Sequence, residues 1–261
     1  MAFGLIIIGD EILSGKRVDQ HFSKVVQLLG ERGLQLGWAE YLGDDPARIG
    51  AALRRTFAGP DIVFSCGGIG ATPDDHTRQA AADALGRPLR LHPEGKANIE
   101  RRIVEMAEEA GQPAELESAE NLHRLKMAEF AEGARLIPNP YNRIAGFSLE
   151  RHHFVPGFPV MAWPMIAWVL DTHYAELFNR EPRAERALLV YESAESALTP
   201  LMVALEAQFP LIKVFSLPSV GDAVTRRHIE LGVKGEPVQT AAAFAVMRAE
   251  LDRLQAEYQL L

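Results

Sequence analysis

One cysteine in 261 residues, Cys66, excludes an intramolecular disulfide framework and a multi-cysteine zinc site. Basic residues are also in deficit: 27 Lys and Arg face 35 Asp and Glu, a net charge of -8. A broad basic face for duplex nucleic acid is therefore not expected. Long apolar runs are missing as well. The N-terminal FGLIIIG (3–9) is too short to cross a bilayer, and no positively charged stretch or small-residue cleavage pattern accompanies it. It reads as a buried first strand, and with the lone cysteine it makes a cytoplasmic location the expectation. No internal repeat or low-complexity tract is present.

What the chain does have is enough apolar sequence, 48%, with 24% charged residues, for a sizeable core. FGLIIIG and DIVFSC (61–66) run without polar alternation, as strands buried on both faces do. Val18, Phe22, Val25, Val26 and Leu29 recur at helical spacing and predict a helix over about 19–32. A strand follows over 34–42, and Asp44 or Asp45 caps a helix carrying Ile49, Ala52, Leu53 and Phe57 on one face. A further helix is expected over 92–110, a strand and a Pro/Asn-rich loop over 134–147, and a strand, a PGFP turn and a long apolar helix over 152–178. This alternation predicts an α/β domain with a mostly parallel sheet, whose ligands bind beyond the carboxyl ends of the strands. After the polar stretch NREPRAE (179–185), a strand, helix, two strands and a last helix over about 238–258 predict a small second domain. The expected domains are 1–178 and 186–261.

FSCGGIGATPDDHTR (64–78) is the most informative stretch. Gly67, Gly68 and Gly70 leave backbone N–H groups open to an anion. Thr72-Pro73-Asp74-Asp75 equally well starts a helix, with Thr72 as N-cap and Asp75 in the capping-box position. Two aspartates beside an anion cradle make physical sense if a divalent cation bridges carboxylate and phosphate; the metal would then polarise a phosphoryl oxygen or activate water. GDEILSGKR (9–17) is not a P-loop, because the glycine spacing is one residue too long and Arg17 stands where Ser or Thr belongs. Asp10 and Glu11 can still face the same rim. His152 and His153 point to opposite faces of a strand and cannot share a metal; a packing or surface role is expected. Cys66, Trp163 and Trp168 are read as core.

In order, GDEILSG, GDDPARI, CGGIGATPDDHT, IPNPYNRIAGF and VPGFPVM resemble the molybdopterin-binding domain of MoaB/Mog proteins and of the N-terminal part of CinA, over about residues 3–175. The PDD loop and PGFP segment are closer to the CinA branch. The resemblance implies a three-layer α/β/α domain, followed by a small KH-like α+β domain. It implies catalytic and metal-binding roles for Asp75 and Asp45 (Asp44 matches less securely), with Asp74 as a further metal ligand. Gly67, Gly68, Gly70, Thr72, Asp10, Glu11, Asn139 and Gly157 become the residues at the phosphate or substrate. Mg²⁺, Mn²⁺ or Co²⁺ is the implied cofactor, and molybdopterin or a nucleotide the implied ligand. The activity implied is hydrolysis of an ADP-ribose-like phosphoanhydride; the alternative is binding or adenylylation of molybdopterin.

The chain departs from this pattern in places. Ala71 replaces a proline, Asp19-Gln20-His21 stands where an asparagine is common, and Tyr141 and Arg143 stand where smaller residues are usual, which reshapes the expected pocket. The sequence ends before the amidohydrolase domain of full-length CinA, so that activity is not expected. A homo-oligomer, dimer or trimer, is expected, with the apolar helix over 158–178 as its interface. No membrane partner is expected. Nor is single-stranded RNA, since VGDAVTRR (220–227) has one glycine and no GXXG clamp.

Overall fold

The computed structural model describes residues 1–179, 183–222 and 224–261. Part of the expected domain boundary (180–182) and one position of the 220–227 loop lie outside the described residues. The chain divides into two compact units, Met1–Asn179 and Arg180–Leu261.

The first unit opens with β1 (Phe3–Ile8), a short helix α1 (Asp10–Leu13), α2 (His21–Gly30), β2 (Leu36–Leu42), α3 (Pro46–Phe57), β3 (Ile62–Cys66) and α4 (Thr77–Leu85). It continues through β4 (Leu89–Leu91), α5 (Pro93–Glu109), α6 (Ala119–Leu125), β5 (Glu129–Ala131), β6 (Arg135–Ile137), β7 (Gly146–Leu149), β8 (His152–Val155) and α7 (Pro159–His173). Six strands form one sheet in the order β2-β1-β3-β8-β7-β6, while β4 and β5 make a separate ribbon. The first four strands of that order are parallel, and β7 runs antiparallel to both of its neighbours.

β1 shows why its run of apolar residues has no polar gap. Leu5 and Ile7 pack with α2 and α7 on one face, while Ile6 and Ile8 pack with Ile49, Leu53 and Ala81 of α3 and α4 on the other. These are the three layers. The register aligns the strand ends: Ile8 pairs with Leu42, Ile7 with Cys66, and Cys66 with Val155. Loops leaving β1, β2, β3 and β8 therefore meet at one rim.

Several expectations needed correction. α2 starts at His21, because the Asp19 carboxylate accepts from the backbone N–H groups of His21 and Phe22. Its core face carries His21, Val25, Leu28 and Leu29, whereas Val18, Phe22 and Val26 are exposed. The helix after the glycine loop starts at Thr77, not Thr72. Thr72 to Asp75 forms a separate turn, in which the Asp75 carboxylate accepts from the Thr72 amide and hydroxyl. β4, β5, β7 and α6 were not anticipated.

The second unit contains β9 (Ala184–Tyr191), α8 (Glu195–Gln208), β10 (Ile212–Ser219), β11 (His228–Gly235), α9 (Pro237–Arg253) and β12 (Tyr258–Leu260). Its strands are antiparallel in the order β10-β11-β9-β12, and Leu188, Leu231, Leu205 and Met247 are at its core. β12 is the addition: the last helix ends at Arg253, and the chain turns back to pair with β9. Among the described residues, no helix is long and apolar enough to cross a membrane.

His152 and His153 are both buried, on opposite faces. His152 Nε2 lies 2.8 Å from Thr56 Oγ1, and His153 bridges Ser148 Oγ (2.8 Å) and Tyr174 Oη (2.7 Å). Burial pulls their pKa values down from 6.5 to about 4 and about 3 respectively. The unfolded chain therefore takes up these protons first, and stability is lost as pH falls from 6.5 towards 4. Urea unfolding across this range should show that loss, with a shallower slope in His153→Gln; an unchanged slope would contradict the assignment.

Candidate functional site

Chain geometry at the rim is set first by glycine. Gly67 and Gly68 have φ of 109° and 68°, where a side chain is strained. A Cβ on Gly67 would fall 2.3 Å from the Ile8 carbonyl oxygen, so β1 and the loop can approach this closely only through glycine.

The start of α4 then fixes which way the loop's peptide groups point. Thr77 Oγ1 donates to the Gly67 carbonyl at 3.0 Å, and the Thr77 N–H to that of Gly68 at 3.0 Å. Arg78, almost fully buried, donates to the Gly70 carbonyl at 2.7 Å, to that of Glu129 at 3.2 Å and to that of Lys126. Burial lowers its pKa, and the charges of Glu129 and Asp75 work in the other direction. With these carbonyls taken, the N–H groups of the same peptides, on Gly68, Ile69 and Ala71, have no hydrogen-bond partner among the described residues. Unpartnered N–H groups on a cavity-lining loop are donors available to an anion.

The loops enclose a cavity of about 480 Å³, a size suited to a small-molecule ligand. Its acidic end is lined by Glu11, Asp44, Asp74 and Asp75, with Arg17 as the basic residue there. The Asp44 carboxylate accepts from the Asp10 amide at 2.9 Å, and Asp10 Oδ1 accepts from the Asp44 amide at 3.2 Å, tying the first two loops together. Desolvation holds the Asp44 carboxyl above the usual carboxylate range; the Asp10 amide opposes this, and the charges of Asp10, Glu11 and Asp74 reinforce it. The Thr72 hydroxyl and the loop backbone hold the Asp74 carboxyl below that range. A cation entering here would relieve the repulsion at Asp44. Among the described residues, however, no three His, Cys, Asp or Glu side chains are gathered as a ready metal site.

The sequence profile described as a probable molybdopterin binding domain matches residues 4–175. The chain belongs to this molybdopterin-binding-domain family. A CinA-like protein of Anaeromyxobacter sp. (strain Fw109-5) is 29% identical, over 96% of this chain and 62% of its own length. Another, from Citrifermentans bemidjiense, is 31% identical over 97% of this chain and 61% of its own length. The chain thus spans under two thirds of the length of these relatives. A solved structure of the protein CinA from Thermoplasma acidophilum, described as of unknown function, superposes with a TM-score of 0.55 at 26% identity, covering 66% of this chain and 98% of that one.

Within this molybdopterin-binding-like domain, the structure brings together most of the residues singled out in the sequence. Gly67, Gly68, Gly70, Thr72, Asp74, Asp75, Glu11, Asn139 and Gly157 all line the cavity. Asp10 does not line it and acts through Asp44. Asp45, matched ahead of Asp44, is the N-cap of α3: its carboxylate accepts from the Ala47 and Arg48 amides, at 2.8 and 3.3 Å, and it is not among the cavity-lining residues. Tyr141 and Arg143 are outside the lining too; Tyr141 is exposed, and Arg143 Nε donates to Glu105 at 2.8 Å. Arg78, Asp44 and Asn142 are the residues that sequence reasoning missed or ranked too low. Asp44 and Asp45 should separate in experiment. Asp45→Ala should cost about 1 kcal/mol of stability in urea unfolding, the usual loss of a helix cap, and leave nucleotide affinity intact. Asp44→Asn should change metal-dependent nucleotide affinity instead; the opposite pattern would reverse the assignment.

Proposed function

We propose that this domain holds the diphosphate of an ADP-ribose-like nucleoside diphosphate compound and hydrolyses its phosphoanhydride with a divalent metal. One observation carries the reading: unpartnered loop amides and four carboxylates face the same cavity. The amides suit an anion and the carboxylates repel one, unless a cation lies between them. Mg²⁺ and similar ions are commonly held by one or two carboxylates, with substrate phosphates and water completing the shell. A cation that arrives with the diphosphate therefore fits a cavity in which no three ligands are pre-gathered. Asp44 and Asp75 would hold the metal, with Glu11 and Asp74 beside them. The Gly68, Ile69 and Ala71 amides would hold a phosphoryl group, and Arg17 would balance charge beside them. The metal, when bound, supplies polarisation of a phosphoryl oxygen or a more acidic water.

A second reading, binding or adenylylation of molybdopterin without hydrolysis, is favoured by the family description. Product chromatography with ADP-ribose and related compounds, in Mg²⁺, Mn²⁺ or Co²⁺, separates the two. The expected result is metal-dependent release of AMP and ribose 5-phosphate. Asp75→Asn should reduce it at least about 10–100-fold, the range seen when metal-site supports are disturbed, without loss of folding. Ligand retained with no product under any metal would establish the second reading.

A further inference from the structure

Three carbonyls of the glycine loop, those of Gly67, Gly68 and Gly70, are held from the start of α4. The next one, that of Ala71, is held from a different element. His123 of α6 places its Nε2 2.6 Å from the Ala71 oxygen. A carbonyl can only accept, so Nε2 carries the proton and donates. α6 is secured at both ends for this contact. At its start the Ser118 hydroxyl accepts from the Asn121 N–H at 3.3 Å. Just beyond its end, Arg78 donates to the carbonyls of Lys126 and Glu129. Between them, Leu125 packs on the small core of Ile99, Ile103 and Ala128.

A peptide group is planar, so fixing the Ala71 carbonyl also fixes the direction of the Thr72 N–H. The Gly68, Ile69 and Ala71 N–H groups are unpartnered, but the Thr72 N–H donates to Asp75 Oδ2 at 2.9 Å. The Thr72 hydroxyl donates to the same oxygen at 2.5 Å, and the Asp75 N–H closes the turn on the Thr72 carbonyl at 3.0 Å. A side chain on Gly70 would collide with Oδ2, so the carboxylate lies tight against the loop. One oxygen of Asp75 thus takes both donors. The other, Oδ1, has no hydrogen-bond partner among the described residues, and Asp75 lines the cavity.

We propose that His123 is a positioning residue for Asp75: through the Ala71–Thr72 peptide it turns one carboxylate oxygen to the loop and leaves the other for a cation. This rests on the metal-and-diphosphate reading of the cavity. His123 is not among the residues lining that cavity, so it acts without touching metal or ligand. Without its N–H, the Ala71 carbonyl is free to turn to water, and the peptide can rotate the Thr72 N–H away from Asp75. The Gly68, Ile69 and Ala71 amides belong to peptides fixed from α4 and keep their direction. The loss therefore falls on the carboxylate side of the site and spares the amide side.

His123→Leu removes the donor, and His123→Gln restores an N–H near the position of Nε2. In the ligand-free chain, exchange of the Thr72 amide proton, followed by NMR, should be about three- to tenfold faster in His123→Leu, the worth of one hydrogen bond. It should stay near the wild-type rate in His123→Gln. The Thr77 amide, bonded to the Gly68 carbonyl, should exchange equally in all three chains. Mn²⁺ affinity in the presence of ADP-ribose, read by electron paramagnetic resonance, should fall by the same factor in His123→Leu and recover in His123→Gln. Unchanged Thr72 exchange in His123→Leu, equal acceleration of Thr72 and Thr77, or a loss of Mn²⁺ affinity that His123→Gln does not recover overturns the role of His123. Absence of Mn²⁺ uptake by the wild type even with ADP-ribose overturns the metal reading of the cavity, and this role with it, whatever the exchange rates show.

Discussion

The rim depends on the contact between the glycine loop and the start of α4. Thr77 and Arg78 bind the carbonyls of Gly67, Gly68 and Gly70, so the same peptide groups present their N–H sides to the cavity. An isolated glycine-rich segment has no such preference, because its peptides can rotate either way. Arg78 suits the task because its planar fork reaches three carbonyls on two chain segments at once. Lysine has neither that geometry nor that reach.

Against this fixed set of donors, the acidic residues acquire a definite arrangement. Asp75 is tied to Thr72, Asp44 to Asp10, and Asp45 is taken up in starting α3. What remains at the cavity is a group of carboxylates whose mutual repulsion adds to desolvation in raising the Asp44 pKa, set opposite amides that attract anions. In the proposed function each half needs the other, and a cation with a diphosphate joins them.

The sequence made the layered fold legible where a single period governed. β1 and β3 are apolar on consecutive residues because both faces of the sheet are covered, whereas a strand with one face in water would alternate. The glycine loop was equally readable, since positive φ leaves its mark in residue type. Asp44 and Asp45 were not distinguishable: adjacent carboxylates at a helix start differ in role only through the direction in which the chain leaves β2. α2 was misread in phase because Phe22 and Val26 keep helical spacing yet lie on the exposed side. β7 went unseen because its four residues, GFSL, are buried by position rather than by composition. Asn142 looked like a loop residue between the more conspicuous Tyr141 and Arg143. Its environment is created by hydrogen bonds within the loop, with Asn139 Nδ2 and the Ile144 N–H both donating to its Oδ1, which no spacing rule encodes.

If metal and diphosphate occupy the cavity interdependently, each should raise the affinity for the other. Mn²⁺ binding followed by electron paramagnetic resonance, with and without ADP-ribose, reads this coupling without requiring turnover. Mn²⁺ uptake by the chain alone should be weak, with a strong increase in affinity when the nucleotide is present, lost in Asp44→Asn. Equal Mn²⁺ affinity with and without nucleotide would overturn the coupling and leave the carboxylates and amides as unrelated features of the rim.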